Sequence, residues 1–230
     1  MISVFDMFSI GIGPSSSHTV GPMRAAKLFV EHLAENNLLD SVDRVRTELF
    51  GSLGQTGIGH GTGKAVILGL SGESPELIAV DSIEAILDQT VASQTISLNG
   101  THQVAFPKDN AIVYHRRKTL PAHANAMTLF AYNGDSLVLE ETYYSIGGGF
   151  IVKDTDFEKE KDKALSLHSN IKRPHVFSTA DQLISEATTK GLSISTIMMD
   201  NEKCLNDEAT VKKGLVNIWQ AMLTKSCVAR

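Results

Sequence analysis

Two Asn-Gly dipeptides, Asn99-Gly100 and Asn133-Gly134, each stand between runs of strand-forming residues, and they constrain the fold more than any other feature. Asparagine and glycine tolerate the positive φ of tight hairpin turns, so each pair predicts two neighbouring antiparallel strands. Ile96 to Leu98 and His102 to Phe106 flank the first turn; Ala124 to Tyr132 and Ser136 to Tyr144 flank the second. Ala111 to His115 adds a short strand, and Ile151-Val152 resumes the sheet after Ile146-Gly147-Gly148-Gly149-Phe150. Upstream, Val42, Val45, Thr47 and Leu49 mark a strand over Val42 to Phe50. Helical spacing brackets this block. Met23, Ala26, Phe29, Val30 and Leu33 place a helix from about Pro22 to Asn36, and shorter ones follow at Lys64 to Leu70 and about Ser82 to Ala92. Thr179 to Lys190, Ser193 to Glu202 and Glu208 to Lys225 are helical after the strands. This order predicts an α+β fold: a mixed, largely antiparallel sheet with helices packed on one face, plus C-terminal helices.

Chemistry concentrates in Gly11 to Pro22, which reads GIGPSSSHTVGP at the start of the first long helix. Pro22 suits a first helical turn because its missing N–H would be unpaired there. Open N–H groups and the positive end of the helix dipole favour an anion at such a place. Serine and threonine are also ordinary N-caps, but one cap needs one hydroxyl rather than four and an imidazole. The residues alone leave an anion site and an elaborate cap both open.

Gly57-Ile58-Gly59-His60-Gly61-Thr62-Gly63-Lys64 is a second dense loop, again between a strand and a helix. Ala65 stands where a P-loop needs Ser or Thr, and the glycine spacing misses the dinucleotide fingerprint. The glycines instead permit close backbone approach and leave the imidazole of His60 uncrowded. A positioned imidazole titrates near neutral pH and can act as general acid or base. His18 and His60 lack local chelating spacing, and His102, His115 and His123 are scattered, so no metal-ligating set stands out. Tyr143 to Phe150, with three consecutive glycines, reads equally as a sheet-edge turn or as a surface for a ligand or neighbouring domain.

The net charge of -5 gives no electrostatic footprint for nucleic acid. No apolar run reaches the roughly 18 residues of a membrane span. The N-terminal segment lacks the pattern of a secretory signal, which makes the cytoplasm the expected location. Cys204 and Cys227 are the two cysteines, too few for a disulfide framework or the four thiolates of an iron–sulfur cluster. Residues 1–152 are expected to form one α+β domain, 153–177 a charged exposed connection and 178–230 a helical bridge. On the last helix Val211, Leu215, Ile218, Trp219 and Met222 make an apolar stripe that needs a partner surface.

Met1 to Phe8 followed by Gly11 to Pro22, the Gly57 to Lys64 loop, Tyr144 to Phe150 and Ile218-Trp219-Gln220-Ala221-Met222 together resemble the bacterial iron–sulfur L-serine dehydratases. The resemblance spans essentially the whole chain and is to their beta domain. It implies an enzyme that converts L-serine to pyruvate and ammonia, with a 4Fe-4S cluster held by cysteines of a separate alpha domain. Cys204 and Cys227 do not match those ligands, so no cluster is expected on this chain. The chain is then a fragment or one subunit of a two-chain enzyme; Ser178 to Met222 resembles the bridge into the alpha domain and favours the fragment. The resemblance further implies that Ser15, Ser16, Ser17 and Thr19 hold the substrate carboxylate. His60 is the first candidate base, and His18 orients substrate or assists the leaving hydroxyl, with those roles open to exchange. Gly147 and Gly148 would shape the pocket, and His18 and His60 should open onto one cleft. L-serine, an alpha domain or subunit and further copies of the chain in a homo-oligomer are the implied partners, with no nucleic acid and no membrane. The beta domain is also similar to a small-molecule-binding domain of some phosphoglycerate dehydrogenases. That similarity sustains an alternative, an amino-acid-binding regulatory module with no chemistry of its own.

Overall fold

The computed structural model describes residues 3–8, 10–159 and 172–228. Two compact units make up the chain, Gly11–Glu160 and Met1–Ile10 with Lys161–Arg230. Helix α1 (Val4–Met7) belongs to the second.

In the first unit, a π-turn (Ser16–Val20) runs directly into α2 (Gly21–Glu35). Strand β1 (Arg44–Phe50) follows, then α3 (Gly51–Thr56), α4 (Thr62–Leu70) and α5 (Ile83–Ser93). The remaining strands are β2 (Thr95–Leu98), β3 (His102–Ala105), β4 (Ile112–Tyr114), β5 (Asn125–Asn133), β6 (Ser136–Gly147) and β7 (Phe150–Lys153). Among the described residues they form a seven-stranded sheet in the order β2-β3-β1-β5-β6-β7, with β4 also beside β1. Only the pairings of β1 with β3 and β4 are parallel. The expected α+β architecture is the observed one, and both Asn-Gly pairs lie at hairpin turns.

Alternation decides which side of the sheet is covered. Val45, Thr47 and Leu49 point inward from β1, and Met127, Leu129 and Ala131 do so from β5. Phe29, Val30 and Leu33 of α2 and Val66 and Leu70 of α4 close over them, each fully buried. Burying each such large side chain contributes about 1.5–3 kcal/mol, enough to fix α2 on the sheet. One charged group shares this face. Glu141 accepts hydrogen bonds from Lys153 and Tyr143 and pairs with His32 of α2 at 3.0 Å. Burial alone would raise its pKa, but Lys153, Tyr143 and His32 outweigh that and hold it below the usual carboxylate range.

Gly51 to Thr56, between β1 and the loop that starts at Gly57, is a short helix despite its two glycines. Its glycines answer to packing: a Cβ on Gly54 would run into the carbonyl of His115. Tertiary contact overrides weak helix propensity here. Of the expected connection, 160–171 lies outside the described residues. Before it, Tyr144 donates to Asp154 at 2.7 Å, so residues just past β7 pack on the sheet.

The second unit holds α6 (Ala180–Lys190), α7 (Ile194–Glu202) and α8 (Glu208–Val228). Thr179 and Ser193 cap α6 and α7 by accepting from Gln182 and Thr196 N–H, and Gly191 ends α6 in the left-handed region. Glu202 is 5% exposed; its carboxylate accepts from the hydroxyl of Ser3 and from Val4 N–H at 3.2 Å. Ile197 and Val211 are buried, whereas Leu215, Trp219 and Met222 of the α8 stripe are exposed.

Candidate active site

Pro22 shapes the serine motif. It has no N–H, so the carbonyl of His18, four residues earlier, loses the partner an α-helix would give it. The chain winds as a π-turn instead, with Val20 N–H bonding Ser15 O at 3.2 Å and Gly21 N–H bonding Ser16 O. The hydroxyl of Thr62 supplies the missing donor to His18 O at 2.6 Å. Thr19 reciprocates, donating to His60 O at 2.9 Å. Two buried threonines therefore cross-link the backbones that carry the two histidines.

The result is a pair of imidazoles whose ring centroids lie 4.8 Å apart. His60 Nδ1 contacts the carbonyl of Thr56 at 3.0 Å. A carbonyl only accepts, so Nδ1 carries the proton and neutral His60 presents a bare Nε2. No partner for that nitrogen exists among the described residues. His18 is braced at both ends, by Ser17 Oγ on Nδ1 and Ser52 Oγ on Nε2, each at 2.9 Å. Burial lowers the pKa of His18, the neighbouring His60 lowers it further, and a hydrogen bond to Ser52 opposes them. The net effect favours the neutral ring.

The four candidate hydroxyls separate by role. Ser15 Oγ caps the turn by accepting from His18 N–H at 3.2 Å. Ser17 braces His18, and Thr19 is tied to His60 O. Ser16 is exposed, and neither its hydroxyl nor the N–H groups of Ser16 and Ser17 have partners among the described residues. Ser15 is therefore the cap, and Ser16 with the Ser17 N–H offers open donors at the positive end of a long helix.

Gly147, Gly148 and Gly149 form the β6–β7 turn with φ of 104°, 60° and 80°. Conformations of that kind favour glycine over every other residue. Arg24 of α2 donates to Gly149 O at 2.6 Å and pairs with Glu76, and β6 packs against the π-turn, which brings this turn toward the serine motif. Ser52, Thr62 and Arg24 were not singled out from the sequence. For Thr62 a signal existed: a proline four residues after His18 leaves a carbonyl in need of a donor.

A family model described as serine dehydratase beta chain matches residues 3–156. The chain belongs to the serine dehydratase beta chain family. It is 51% identical to an L-serine dehydratase of Streptomyces coelicolor over 230 residues, covering 100% of this chain and 49% of that one. L-serine dehydratase 1 of Escherichia coli is 43% identical over 231 residues, with 100% and 49% covered. The L-serine dehydratase of Helicobacter pylori is 36% identical over 222 residues, with 96% and 47% covered. The chain spans about half the length of the curated relatives it matches. Among the described residues of this beta-chain family member, no three His, Cys, Asp or Glu side chains come together as a metal set. Cys204 is exposed and is the one free thiol described. This donor chemistry does not suit a 4Fe-4S cluster. No helix described is long and apolar enough to cross a membrane.

Proposed function

We propose that this chain is the substrate-gripping and proton-handling half of an L-serine dehydratase, an L-serine ammonia-lyase. Its partner would be a cluster-bearing alpha half. The reading rests on one observation: in a member of the serine dehydratase beta chain family, a histidine with a bare Nε2 stands 4.8 Å, ring to ring, from a second imidazole beside an open helix start. The substrate carboxylate is bound by the N–H groups of Ser16 and Ser17 and by Ser16 Oγ, where the helix dipole favours negative charge. His60 Nε2 takes the alpha proton, and the Thr56 carbonyl steadies the imidazolium through Nδ1–H. His18, held neutral between Ser17 and Ser52, orients the substrate hydroxyl, and the proton taken up by His60 passes to that hydroxyl as it leaves as water. Loss of the alpha proton and of hydroxide as water yields aminoacrylate, which tautomerises to the imine and hydrolyses to pyruvate and ammonia.

The test is His60→Ala in the complete enzyme. Removing a general base should lower kcat by about 10²–10⁴-fold with little change in KM. A near-normal kcat would remove His60 from the mechanism. The regulatory-module alternative makes the opposite forecast, L-serine binding by calorimetry that His60→Ala leaves intact together with unaltered turnover.

A further inference from the structure

Three side-chain polar atoms are buried without a partner among the described residues: Arg46 Nε and Thr47 Oγ1 on β1, and Ser145 Oγ on β6. The first two lie in the body of the sheet. Ser145 lies two residues before the triple-glycine turn and is 3% exposed. Its backbone is fixed, because Asn125 Nδ2 donates to its carbonyl at 3.2 Å. Its hydroxyl faces Gly21, the residue that follows the π-turn. A Cβ on Gly21 would sit 2.9 Å from Ser145 Cβ and closer still to Oγ. The next atom around that point is the carbonyl oxygen of Ser16, at 3.6 Å.

That carbonyl belongs to the same peptide plane as the N–H of Ser17. Fixing one end of a peptide fixes the direction of the other. A hydrogen bond to the carbonyl also polarises the N–H and makes it a better donor. In the structure Ser16 O accepts from Gly21 N–H, which leaves it a second lone pair. A buried hydroxyl with no partner is costly, and an alanine of nearly the same shape would avoid that cost.

We infer that Ser145 is a positioning residue for the serine turn: when a carboxylate occupies the Ser16 and Ser17 N–H groups, its hydroxyl closes onto Ser16 O and aims the Ser17 N–H at the ligand. The inference rests on the proposed reading of that turn as the carboxylate site. Ser145 touches no substrate atom; it acts through the Ser16–Ser17 peptide.

The experiment is Ser145→Ala in the complete enzyme, read by steady-state kinetics and by melting midpoint with and without L-serine. The expected result is a midpoint without ligand that is equal or higher, a KM raised roughly five- to tenfold and a kcat within about twofold, as for one lost hydrogen bond in binding. The rise in midpoint on adding L-serine should shrink in parallel. An unchanged KM overturns the inference, and so does a lower midpoint without ligand, which would make Ser145 a packing residue. A wild-type enzyme that neither turns over nor is stabilised by L-serine ends the functional reading itself. A wild type that responds, with a Ser145→Ala variant that responds equally, ends this inference alone.

Discussion

Thr62 shows how much of the site depends on single hydroxyls. Its Oγ1 answers a carbonyl that Pro22 leaves unpaired, and its side chain is fully buried. Thr62→Val keeps the shape and removes the donor. The buried carbonyl of His18 then lacks its partner, which should cost about 1–3 kcal/mol in urea unfolding. His18 itself ties stability to pH. Burial and its neighbour His60 hold its pKa below the ordinary histidine value of 6.5 in the folded chain. Below 6.5 the unfolded chain binds a proton that the folded chain resists, so stability falls with falling pH down to the folded pKa. Urea midpoints measured from pH 7.5 to 5 should show this slope, and His18→Gln should flatten it. A slope unchanged by that substitution would show that other groups carry it. At this scale the sequence made the histidines and serines visible because their chemistry is in the residue type. The division of labour among Ser15, Ser16, Ser17 and Thr19 was not visible, because Ser15 and Ser17 pair with His18 within a π-turn whose His18 carbonyl is held by Thr62, and Thr19 pairs with a carbonyl at 60 that only the fold brings near.

Local chemistry also explains which elements were legible. Hairpin turns are written in two residues, so β2–β3 and β5–β6 could be placed from Asn99-Gly100 and Asn133-Gly134. The helix at Gly51 to Thr56 could not, since its glycines respond to a distant carbonyl. The triple-glycine turn lies between these cases: its need for positive φ is local, whereas its nearness to α2 is not. Gly147 allows the two to be separated. A Cβ there meets nothing within 4 Å, yet φ is 104°. Gly147→Ala should therefore destabilise through backbone strain alone, by about 1–3 kcal/mol. Equilibrium unfolding would check it. A neutral effect would mean that the β6–β7 turn relaxes freely, and would weaken its place in the site.

At the scale of the whole molecule the chain is about half of what its relatives are. On the proposed division of the enzyme between this chain and an alpha half, the purified chain alone should yield no pyruvate from L-serine in a coupled assay. Turnover by the isolated chain would overturn that division. The α+β architecture was readable from the order of elements, since helices on either side of an antiparallel block leave few other arrangements. The stripe on α8 was readable as well, but as an open question. Val211 is buried, and Leu215, Trp219 and Met222 remain exposed. Trp219 is the only tryptophan in the chain and is 60% exposed. Its indole emission therefore comes from a single address on that stripe. Any surface that covers α8 will move the fluorescence from the red of a wet indole toward the blue of a dry one. The protein carries its own optical gauge of assembly, with no label to attach.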